Sequence, residues 1–282
     1  MTAAELRSLP GPALLFCPAD RPGRYAKALA AADAVILDLE DGVGADGKDA
    51  ARAALVTTDL DPARVIVRVN ATGTPEHAAD IAALRGTGYR QVMLPKTETR
   101  AQLDALGDGW RVVALCETPL GVVNAAEIAA APNVIAVMWG AEDLIAAMRG
   151  RTSRRPDGTY RDVALHARSA VLLAAAAHGR PAIDAVYVNI PDLDGLAAEA
   201  GDAAASGFTH KGCIHPSQVA VVRKAFQADE EQVAWARRVL EAARGAGAQD
   251  KGAIKVDGQM IDAPLIRQAE AILASLGGHG GN

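Results

Sequence analysis

The sequence is poor in cysteine and in aromatic side chains. Only 3 of its 282 residues are cysteines, and only 4% are aromatic. Cys17, Cys116 and Cys213 each lie inside an apolar run, and no C-x-x-C pair occurs. An odd number of isolated cysteines does not make a disulfide framework. We therefore predict that all three are reduced thiols in the hydrophobic core.

The sequence also lacks an excess of positive charge. Its formal net charge is −5, whereas proteins that coat duplex nucleic acid carry a basic stripe that replaces phosphate counterions. Nucleic acid is therefore not an expected partner. One basic cluster stands in a stretch rich in glycine, serine and proline, namely Arg149, Arg151, Arg154 and Arg155. We interpret it as a solvated loop, although such a loop could also contact a phosphate.

A secretion signal and long hydrophobic runs are missing as well. The first residues, MTAAELRSLPGP, have neither a basic start nor an apolar stretch. No segment reaches the roughly 18 uninterrupted apolar residues of a membrane span. We therefore expect a cytoplasmic protein without a membrane partner. With 50% hydrophobic residues, the chain can bury a large core and form one large α/β domain.

What the sequence does contain is a repeated alternation of short apolar runs and helical stretches. The runs are rich in β-branched residues, which favours strands. Helical patterning lies between them, as in PEHAADIAALRGTG before the fourth run and RDVALHARSAVLLAAAAHG before the seventh. Eight strands are predicted in this way, at residues 13–19, 34–41, 64–70, 91–96, 112–118, 134–140, 182–188 and 211–215.

Strands that alternate with helices in this number predict a (β/α)8 barrel, the TIM-barrel fold. The competing architecture is an open doubly wound sheet, but no G-x-G-x-x-G motif opens a helix after the first strand. Two helical stretches, a short hairpin and a final helix follow the last predicted strand. We therefore predict a catalytic barrel domain over residues 1–226 and a C-terminal arm or lid over residues 227–282.

The ends of the predicted strands are unusually polar. In a barrel of this type the active site forms at the carboxyl ends of the strands. Residues two apart in a strand share a face, which places Asp38 beside Glu40. The same spacing places Arg68 beside Asn70. Because the two strands are neighbours, Asp38 and Arg68 could pair, and buried carboxylates need such a partner, a metal ion or a substrate.

A second pair of acids predicts a metal site. Glu117 and Asp143 end neighbouring strands, and paired strands lie only about 5 Å apart, so the two carboxylates can share one ion. The ligands would all be oxygens, with no histidine or cysteine beside them, which favours Mg²⁺ or Mn²⁺ over zinc. The alternative is that these acids cap helices, since Asp143 precedes LIAAM and Asp41 precedes a turn. The convergence of several acids on one rim favours the metal site.

Several short motifs, taken together, resemble one enzyme family. They are LDLEDGV, the R-x-N of the third strand, MLPK, ETPLGVVNAAEIA, WGAEDL, CIHPSQ and GQMID, and they span nearly the whole chain. In this order they resemble the citrate lyase beta subunit-like group of the HpcH/HpaI aldolases. The resemblance implies a (β/α)8 barrel with a C-terminal extension. It also implies Mg²⁺-dependent cleavage or formation of C–C bonds in 3-hydroxyacyl thioesters of coenzyme A.

The resemblance assigns roles to the acids at the strand ends. It implies that Glu117 and Asp143 are the metal ligands. It further implies that Glu40 and Asp41 hold metal-bound waters.

The same resemblance assigns roles to two basic residues of the rim. Arg68 matches the family's substrate arginine, which would hold the thioester oxygen or a carboxylate. The structural alternative for Arg68 is a salt bridge to Asp38. Lys96 matches a rim lysine of the family, and its alternative role is that of a partner for nearby acids.

Three further residues gain a role only through the resemblance. Arg21 and Arg24 in PADRPGR resemble the family's contacts to coenzyme A phosphates, the alternative being a solvent-facing helix start. Asp262 in GQMID matches the acid that the family's C-terminal arm delivers over a neighbouring subunit's site, although in isolation it would be a helix N-cap. The chain departs from the family pattern at His210, which stands where many relatives have glycine, so the environment of Lys211 is not carried over.

These expectations predict a lyase that splits a 3-hydroxyacyl-CoA into acetyl-CoA and a keto acid through an enolate. Arg68 would stabilise the enolate oxygen and Asp262 would move a proton at the enolate carbon. The substrate would be of the citramalyl-CoA, malyl-CoA or hydroxymethylglutaryl-CoA type. One alternative is a malate synthase or thioesterase acting on the same site, and another is a citrate lyase subunit that needs an acyl carrier protein. An arm over a neighbour implies a homo-oligomer, a trimer by resemblance.

Overall fold

The computed structural model describes residues 9–245 and 254–277. The chain divides into two compact units, Met1–Arg223 and Lys224–Asn282. The first eight residues, on which the expectation about a secretion signal rests in part, lie outside the described residues. The glycine-rich C-terminus lies outside them as well. No helix in the described part of the chain combines the length and the apolar character needed to cross a membrane.

The first unit is a closed barrel of parallel strands, in which each strand pairs with the next and β8 pairs with β1. The predicted (β/α)8 barrel is therefore confirmed. Its strands are β1 (Ala13–Pro18), β2 (Ala34–Asp38), β3 (Val65–Arg68), β4 (Gln91–Leu94), β5 (Arg111–Cys116), β6 (Val134–Trp139), β7 (Ala182–Asp184) and β8 (His210–Cys213).

Every strand of the barrel is followed by at least one helix. Thr74 and Thr118 cap α3 and α5 by accepting backbone N–H groups, and proline occupies the first turn of both helices. The helices that follow the strands are α1 (Tyr25–Ala31), α2 (Lys48–Thr57), α3 (Pro75–Arg85), α4 (Arg100–Asp104), α5 (Pro119–Val123), α6 (Ala125–Ala129), α7 (Ala141–Ala147), α8 (Asp162–Ala177), α9 (Leu193–Ser206) and α10 (Pro216–Ala225).

Apolar side chains fill the interior of the barrel, and polar ones replace them toward the carboxyl ends of the strands. Ile36, Ile66 and Leu115 belong to one buried cluster inside the barrel. Two positions after these residues in the sequence stand Asp38, Arg68 and Glu117, respectively. Because alternate residues share a face, the chain leaves the apolar core and immediately presents acids and an arginine above it. The three predicted core cysteines are buried and free, as expected.

The second strand ends earlier than predicted, at Asp38 rather than at residue 41. The carboxylate of Asp38 accepts the backbone N–H groups of Glu40 and Gly42, both at 2.9 Å. These bonds turn the chain out of the sheet, so Glu40 and Asp41 lie on the loop after β2. Gly42 is required there, because a Cβ atom at this position would lie 2.5 Å from Asp38 Oδ2.

His210, where the sequence departs from the family pattern, is a packed structural residue at the start of β8. Its Nε2 lies 3.2 Å from the carbonyl oxygen of Leu9, and its Nδ1 lies 2.8 Å from the hydroxyl of Thr209. Since a carbonyl only accepts, the ring proton is on Nε2. A Cβ atom on Gly11 would lie 2.1 Å from the ring, so backbone packs directly against it. Burial lowers the pKa of His210 from its ordinary value of 6.5.

We expect His210 to contribute a decrease in the free energy of unfolding as the pH is lowered from 7 to 5. The unfolded chain takes up a proton on this histidine near pH 6.5, whereas the folded chain does so only at lower pH. Below pH 6.5 the unfolded state therefore binds more protons, and this site removes up to about 1.4 kcal/mol per pH unit. Urea denaturation at pH 7, 6 and 5 measures the change in the free energy of unfolding for each protein. Relative to the wild type, His210→Gln should gain stability as the pH falls, whereas the exposed-site control His178→Gln should not. The same pH dependence in all three proteins would contradict the assignment.

The second unit has a small apolar core of its own. It contains α11 (Glu230–Gly245), a hairpin of β9 (Ile254–Val256) and β10 (Gln259–Ile261), and α12 (Ala263–Gly277). Asp257 and Gly258 both have positive φ, as the tight turn of such a hairpin requires. The predicted hairpin followed by a helix is thus confirmed. Its core comprises Ala236, Val239, Val256, Ile261 and Ala269.

Candidate active site

Arg68 is held in place by Asp38 at the carboxyl end of the barrel. The two residues are partners in the β2–β3 register. Arg68 Nε lies 2.7 Å from Asp38 Oδ1, and Nη2 lies 2.7 Å from Oδ2, which makes a bidentate pair. The predicted pairing is therefore confirmed. The remaining terminal nitrogen, Nη1, lies 3.0 Å from Glu40 Oε2 but at an angle that makes no hydrogen bond, so it can still donate to another group.

Lys96 connects the acid of the second loop with the acids of the fifth and sixth. Its Nζ lies 2.6 Å from Glu40 Oε1 and 3.5 Å from Asp143 Oδ1. Its backbone N–H donates to Glu117 Oε1 at 3.0 Å. This last contact is made in a left-handed conformation, with φ of 49°, which is uncommon outside glycine. Lys96 is thus a partner of the acids, the alternative that the sequence left open, and its predicted contact with ligand stays a prediction.

Glu117 directly follows β5, as predicted, whereas Asp143 lies in the first turn of α7, four residues after the neighbouring strand β6, and does not end that strand. Glu117 is buried, whereas the carboxylate of Asp143 is 38% exposed. Asp143 is not the N-cap of α7, since that position belongs to Gly140. The cap is glycine because a Cβ atom there would lie 2.9 Å from Glu117 Oε2. The absence of that atom lets the end of β6 approach the Glu117 carboxylate.

The carboxylates at this rim carry more negative charge than the neighbouring cations balance. Burial, together with the charges of Asp143 and Glu40, raises the pKa of Glu117 to about 8. Burial also raises the pKa of Glu40, against the opposing effect of Arg68 and Lys96. A cation placed between Glu117 and Asp143 would remove the repulsion that causes part of this shift.

The donor set suits a magnesium ion that keeps water or substrate oxygens. No group of three or more histidine, cysteine, aspartate or glutamate side chains with a ligating arrangement occurs within residues 9–245 and 254–277. The rim thus offers two carboxylates, Glu117 and Asp143, and Mg²⁺ is typically bound by one or two carboxylates plus waters. The buried Oε2 of Glu40 accepts no hydrogen bond from the described residues, which leaves it able to accept one from water.

These groups surround one cavity of about 190 Å³. Asp38, Arg68, Glu117 and Asp143 supply polar walls, and the barrel interior supplies an apolar one. The apolar lining includes Phe16, Leu115, Met138, Val186 and Ile214. A polar rim above an apolar floor is typical of sites that orient a small charged ligand.

Lys48 was missed by the sequence analysis, although it fixes the loop that carries Glu40. Its Nζ donates to the carbonyl oxygens of Leu39 and Glu40, at 2.8 and 3.0 Å, and to Asn70 Oδ1 at 2.7 Å. Asn70 in turn donates to the fully buried Asp80 through its side chain, at 2.7 Å. Because Lys48 donates hydrogen bonds to backbone carbonyl oxygens, no sequence pattern predicts its role.

The ligand-binding roles of four residues rest on the resemblance alone. Arg21 precedes and Arg24 ends Pro22–Arg24, a single 3₁₀ turn after β1, and both are exposed to solvent. Asp41 is exposed on the loop after β2. Asp262 immediately precedes α12 in the second unit, and its Oδ1 lies 3.5 Å from the backbone nitrogen of Leu265, the position of a helix cap. The ligand-binding roles of these residues stay predictions.

The basic cluster predicted as a solvated loop is not solvated throughout. Arg149 and Arg151 are exposed. Arg154, however, pairs with Glu199 at 2.8 Å and stacks on Tyr160, with its guanidinium carbon 3.9 Å from the ring centroid. The prediction was wrong for Arg154 because Glu199, a half-buried acid on α9, draws it inward.

That acid belongs to a buried ionic network between the barrel and its helices. The fully buried Lys211 Nζ lies 2.7 Å from Asp184 Oδ2 and 3.0 Å from Glu199 Oε1. Asp184 also accepts the indole N–H of Trp139 at 2.7 Å. Trp139 and the adjacent Gly140 line the cavity, so the network supports one wall of the candidate site from behind.

Comparison with known proteins assigns this chain to a family. A model of the HpcH/HpaI aldolase/citrate lyase family matches residues 13–216. A citrate lyase subunit beta-like protein of Mycobacterium tuberculosis is 57% identical over 267 residues, which cover 95% of this chain and 96% of the relative. The mitochondrial citramalyl-CoA lyase of Homo sapiens is 31% identical, over 95% of this chain and 86% of the human protein.

A solved structure supports the same family assignment. The crystal structure of CitE from M. tuberculosis in complex with magnesium, acetoacetate and coenzyme A superposes with a TM-score of 0.91 at 56% identity, covering 96% of this chain and 99% of CitE. The chain therefore belongs to the HpcH/HpaI aldolase/citrate lyase family.

Proposed function

We propose that the protein is a Mg²⁺-dependent lyase that cleaves a 3-hydroxyacyl-CoA thioester into acetyl-CoA and a keto acid. The observation that carries this proposal is that one cavity is lined by the Arg68 guanidinium, whose Nη1 makes an ion pair but no hydrogen bond with Glu40, and by the carboxylates of Glu117 and Asp143. The CitE complex with magnesium and coenzyme A and the activity named for the human relative support it.

The chemical difficulty of this reaction is the electron pair left on C2 when the C2–C3 bond breaks. The pair moves onto the thioester oxygen as an enolate, and a fixed positive charge at that oxygen lowers the barrier. Arg68 has Nε and Nη2 committed to Asp38, and its Nη1 remains to donate to the oxygen. Because Asp38 is itself bonded to the backbone of Glu40 and Gly42, the guanidinium is oriented before substrate binds.

The carboxylate pair has the complementary task. Glu117 and Asp143 would hold Mg²⁺, which when bound supplies positive charge that polarises the C3 oxygen. Glu40 Oε2 can accept a hydrogen bond from a water near the ion, and Lys96 keeps Glu40 in position through its other oxygen. The C3 hydroxyl gives up its proton to solvent as it becomes the carbonyl of the keto acid. The enolate takes up a proton at C2, and Asp262 on the arm of a neighbouring subunit is the candidate donor. Arg21 and Arg24 would contact the coenzyme A phosphates.

The test is the release of acetyl-CoA by the purified chain, measured by mass spectrometry. The substrates are citramalyl-CoA, malyl-CoA, hydroxymethylglutaryl-CoA and citryl-CoA, each with Mg²⁺ and with a chelator. We expect acetyl-CoA and an equal amount of keto acid from at least one ester, in the presence of Mg²⁺ only. Free coenzyme A without acetyl-CoA would indicate a thioesterase. If no ester is cleaved, the proposal is wrong, and dependence on an acyl carrier protein becomes the better hypothesis.

A further inference from the structure

The floor of the cavity is built over a glycine. Gly212 lies in β8, where a Cβ atom would be 2.9 Å from Val186 Cγ1, 3.1 Å from Met138 Cε and 3.5 Å from Phe16 Cε2. The three contacted side chains come from different parts of the barrel wall, and all three line the cavity. They meet over Gly212 because no side chain occupies that position.

The floor carries no charge, in contrast to the rim. Phe16, Met138 and Val186 pack against the buried cluster inside the barrel. The charged groups that line the cavity lie at the carboxyl ends of β2 and β3, directly after β5 and in the first turn of α7; they are Asp38, Arg68, Glu117, Glu142 and Asp143. A ligand whose oxygens meet these charged groups therefore turns its remaining substituent toward an apolar surface.

We propose that Gly212 sets the depth of this floor and thereby selects substrates whose C3 carries a methyl group. The inference rests on the proposed function, because it assumes that the C3 oxygen and the thioester face the rim. Of the four bonds of C3, one then goes to the oxygen, one to C2 and one to the carboxylate-bearing part of the substrate. The fourth substituent points to Phe16, Met138 and Val186.

The chemistry of the floor ranks the possible substituents. A hydrogen leaves part of the apolar surface without contact, whereas a methyl group fills it; one methyl group in an apolar pocket is typically worth about 10- to 200-fold in kcat/KM. A carboxymethyl group would bring a charge against three apolar side chains. The cation nearby, Arg68, whose Cζ lies 5.1 Å from the centroid of the Phe16 ring, is already bonded to Asp38, so this charge is unfavourable. Citramalyl-CoA, with a C3 methyl, is thus favoured over malyl-CoA, with a C3 hydrogen, and over citryl-CoA.

The experiment compares kcat/KM for citramalyl-CoA and malyl-CoA in the wild type and in Gly212→Ala. The φ of Gly212 lies outside the left-handed region, so alanine is conformationally allowed. Its methyl group pushes the flexible end of Met138 and the side chain of Val186 into the cavity. We expect a wild-type preference of at least about tenfold for citramalyl-CoA and its loss in Gly212→Ala. The ratio does not depend on how much of a variant folds.

Two further variants complete the design. Met138→Ala removes one of the three floor side chains, so it should reduce the advantage of the methyl substrate without adding bulk. Gly201→Ala is the matched control, since it changes a helical glycine with nothing within 4 Å of the added atom, and its ratio should equal that of the wild type. Active Gly212→Ala and Met138→Ala proteins with an unchanged ratio would overturn this inference alone. A wild type without lyase activity on either ester would overturn the proposed function as well.

Discussion

Replacing Glu117 with glutamine is expected to lower Mg²⁺-dependent kcat/KM by roughly a thousandfold or more, because the contribution of a catalytic metal is several kcal/mol. The substitution keeps the shape of the side chain and the acceptor for the backbone N–H of Lys96. It removes one of the two negative charges that face the proposed ion. Steady-state assays of acetyl-CoA release at several Mg²⁺ concentrations measure the loss.

The same substitution should make the metal-free protein more stable, which separates loss of metal from loss of fold. With a pKa of about 8 in the folded state, against an ordinary value of 4.5, Glu117 resists ionisation on folding. Above pH 4.5 the unfolded state binds fewer protons at Glu117 than the folded state does. Ionisation of this side chain therefore favours unfolding, and glutamine, which does not ionise, removes this destabilising contribution. The thermal midpoint of Glu117→Gln without Mg²⁺ should therefore exceed that of the wild type at pH 7.

Thermal unfolding with and without Mg²⁺ completes this test. Wild type at a hundredfold excess of Mg²⁺ over its dissociation constant should gain about 2.7 kcal/mol, and Glu117→Gln should gain almost nothing. Glu127→Gln, which changes an exposed glutamate on α6, should behave like the wild type. Equal stabilisation of Glu117→Gln and wild type by Mg²⁺ would show that the ion binds elsewhere.

Arg68→Met is expected to abolish activity and to destabilise the protein by about 3–5 kcal/mol, since it leaves buried carboxylates without a partner charge. Asp38 and Glu40 are both buried, and Arg68 contacts both of them. The loss in kcat/KM should be at least about 10²–10³-fold, the usual effect of removing a group that stabilises an oxyanion. Denaturation in urea and assays on the remaining folded enzyme measure the two effects.

The double variant Asp38→Asn/Arg68→Met distinguishes catalysis from stability. Asparagine keeps an acceptor for one of the two backbone N–H groups and removes the unpaired charge, so part of the lost stability should return. Activity should not return, because the cation at the enolate oxygen is still missing. Recovery of activity together with stability would mean that Arg68 has only the structural role of a salt-bridge partner.

The barrel and the charged rim could be predicted from sequence because both depend on periodic patterns. Alternating apolar runs give the strands, and the spacing of two between Ile36 and Asp38, or between Ile66 and Arg68, fixes which side chains share a face. The order of strands in a parallel barrel follows the chain, so the pairing of Asp38 with Arg68 could be inferred without coordinates of any kind.

The features that could not be predicted depend on contacts that produce no periodic pattern in the sequence. Asp38 ends β2 by accepting hydrogen bonds from two backbone N–H groups. The pattern of apolar residues does not predict these bonds. Lys48 acts on carbonyl oxygens. Arg154 sits in a glycine-rich stretch that is typical of a solvated loop, and it is drawn inward by Glu199, 45 residues later in the chain. In each case the deciding partner is distant in sequence or belongs to the backbone.

The close packing of Gly11 against His210 also couples these two positions. Any side chain at position 11 would occupy the space of the imidazole ring, since even a Cβ atom would lie 2.1 Å from it. With His210 in place, a substitution at position 11 therefore forces the ring or the backbone to move. The effect of an exchange at either position thus depends on the residue present at the other, although the two are 199 positions apart in the sequence.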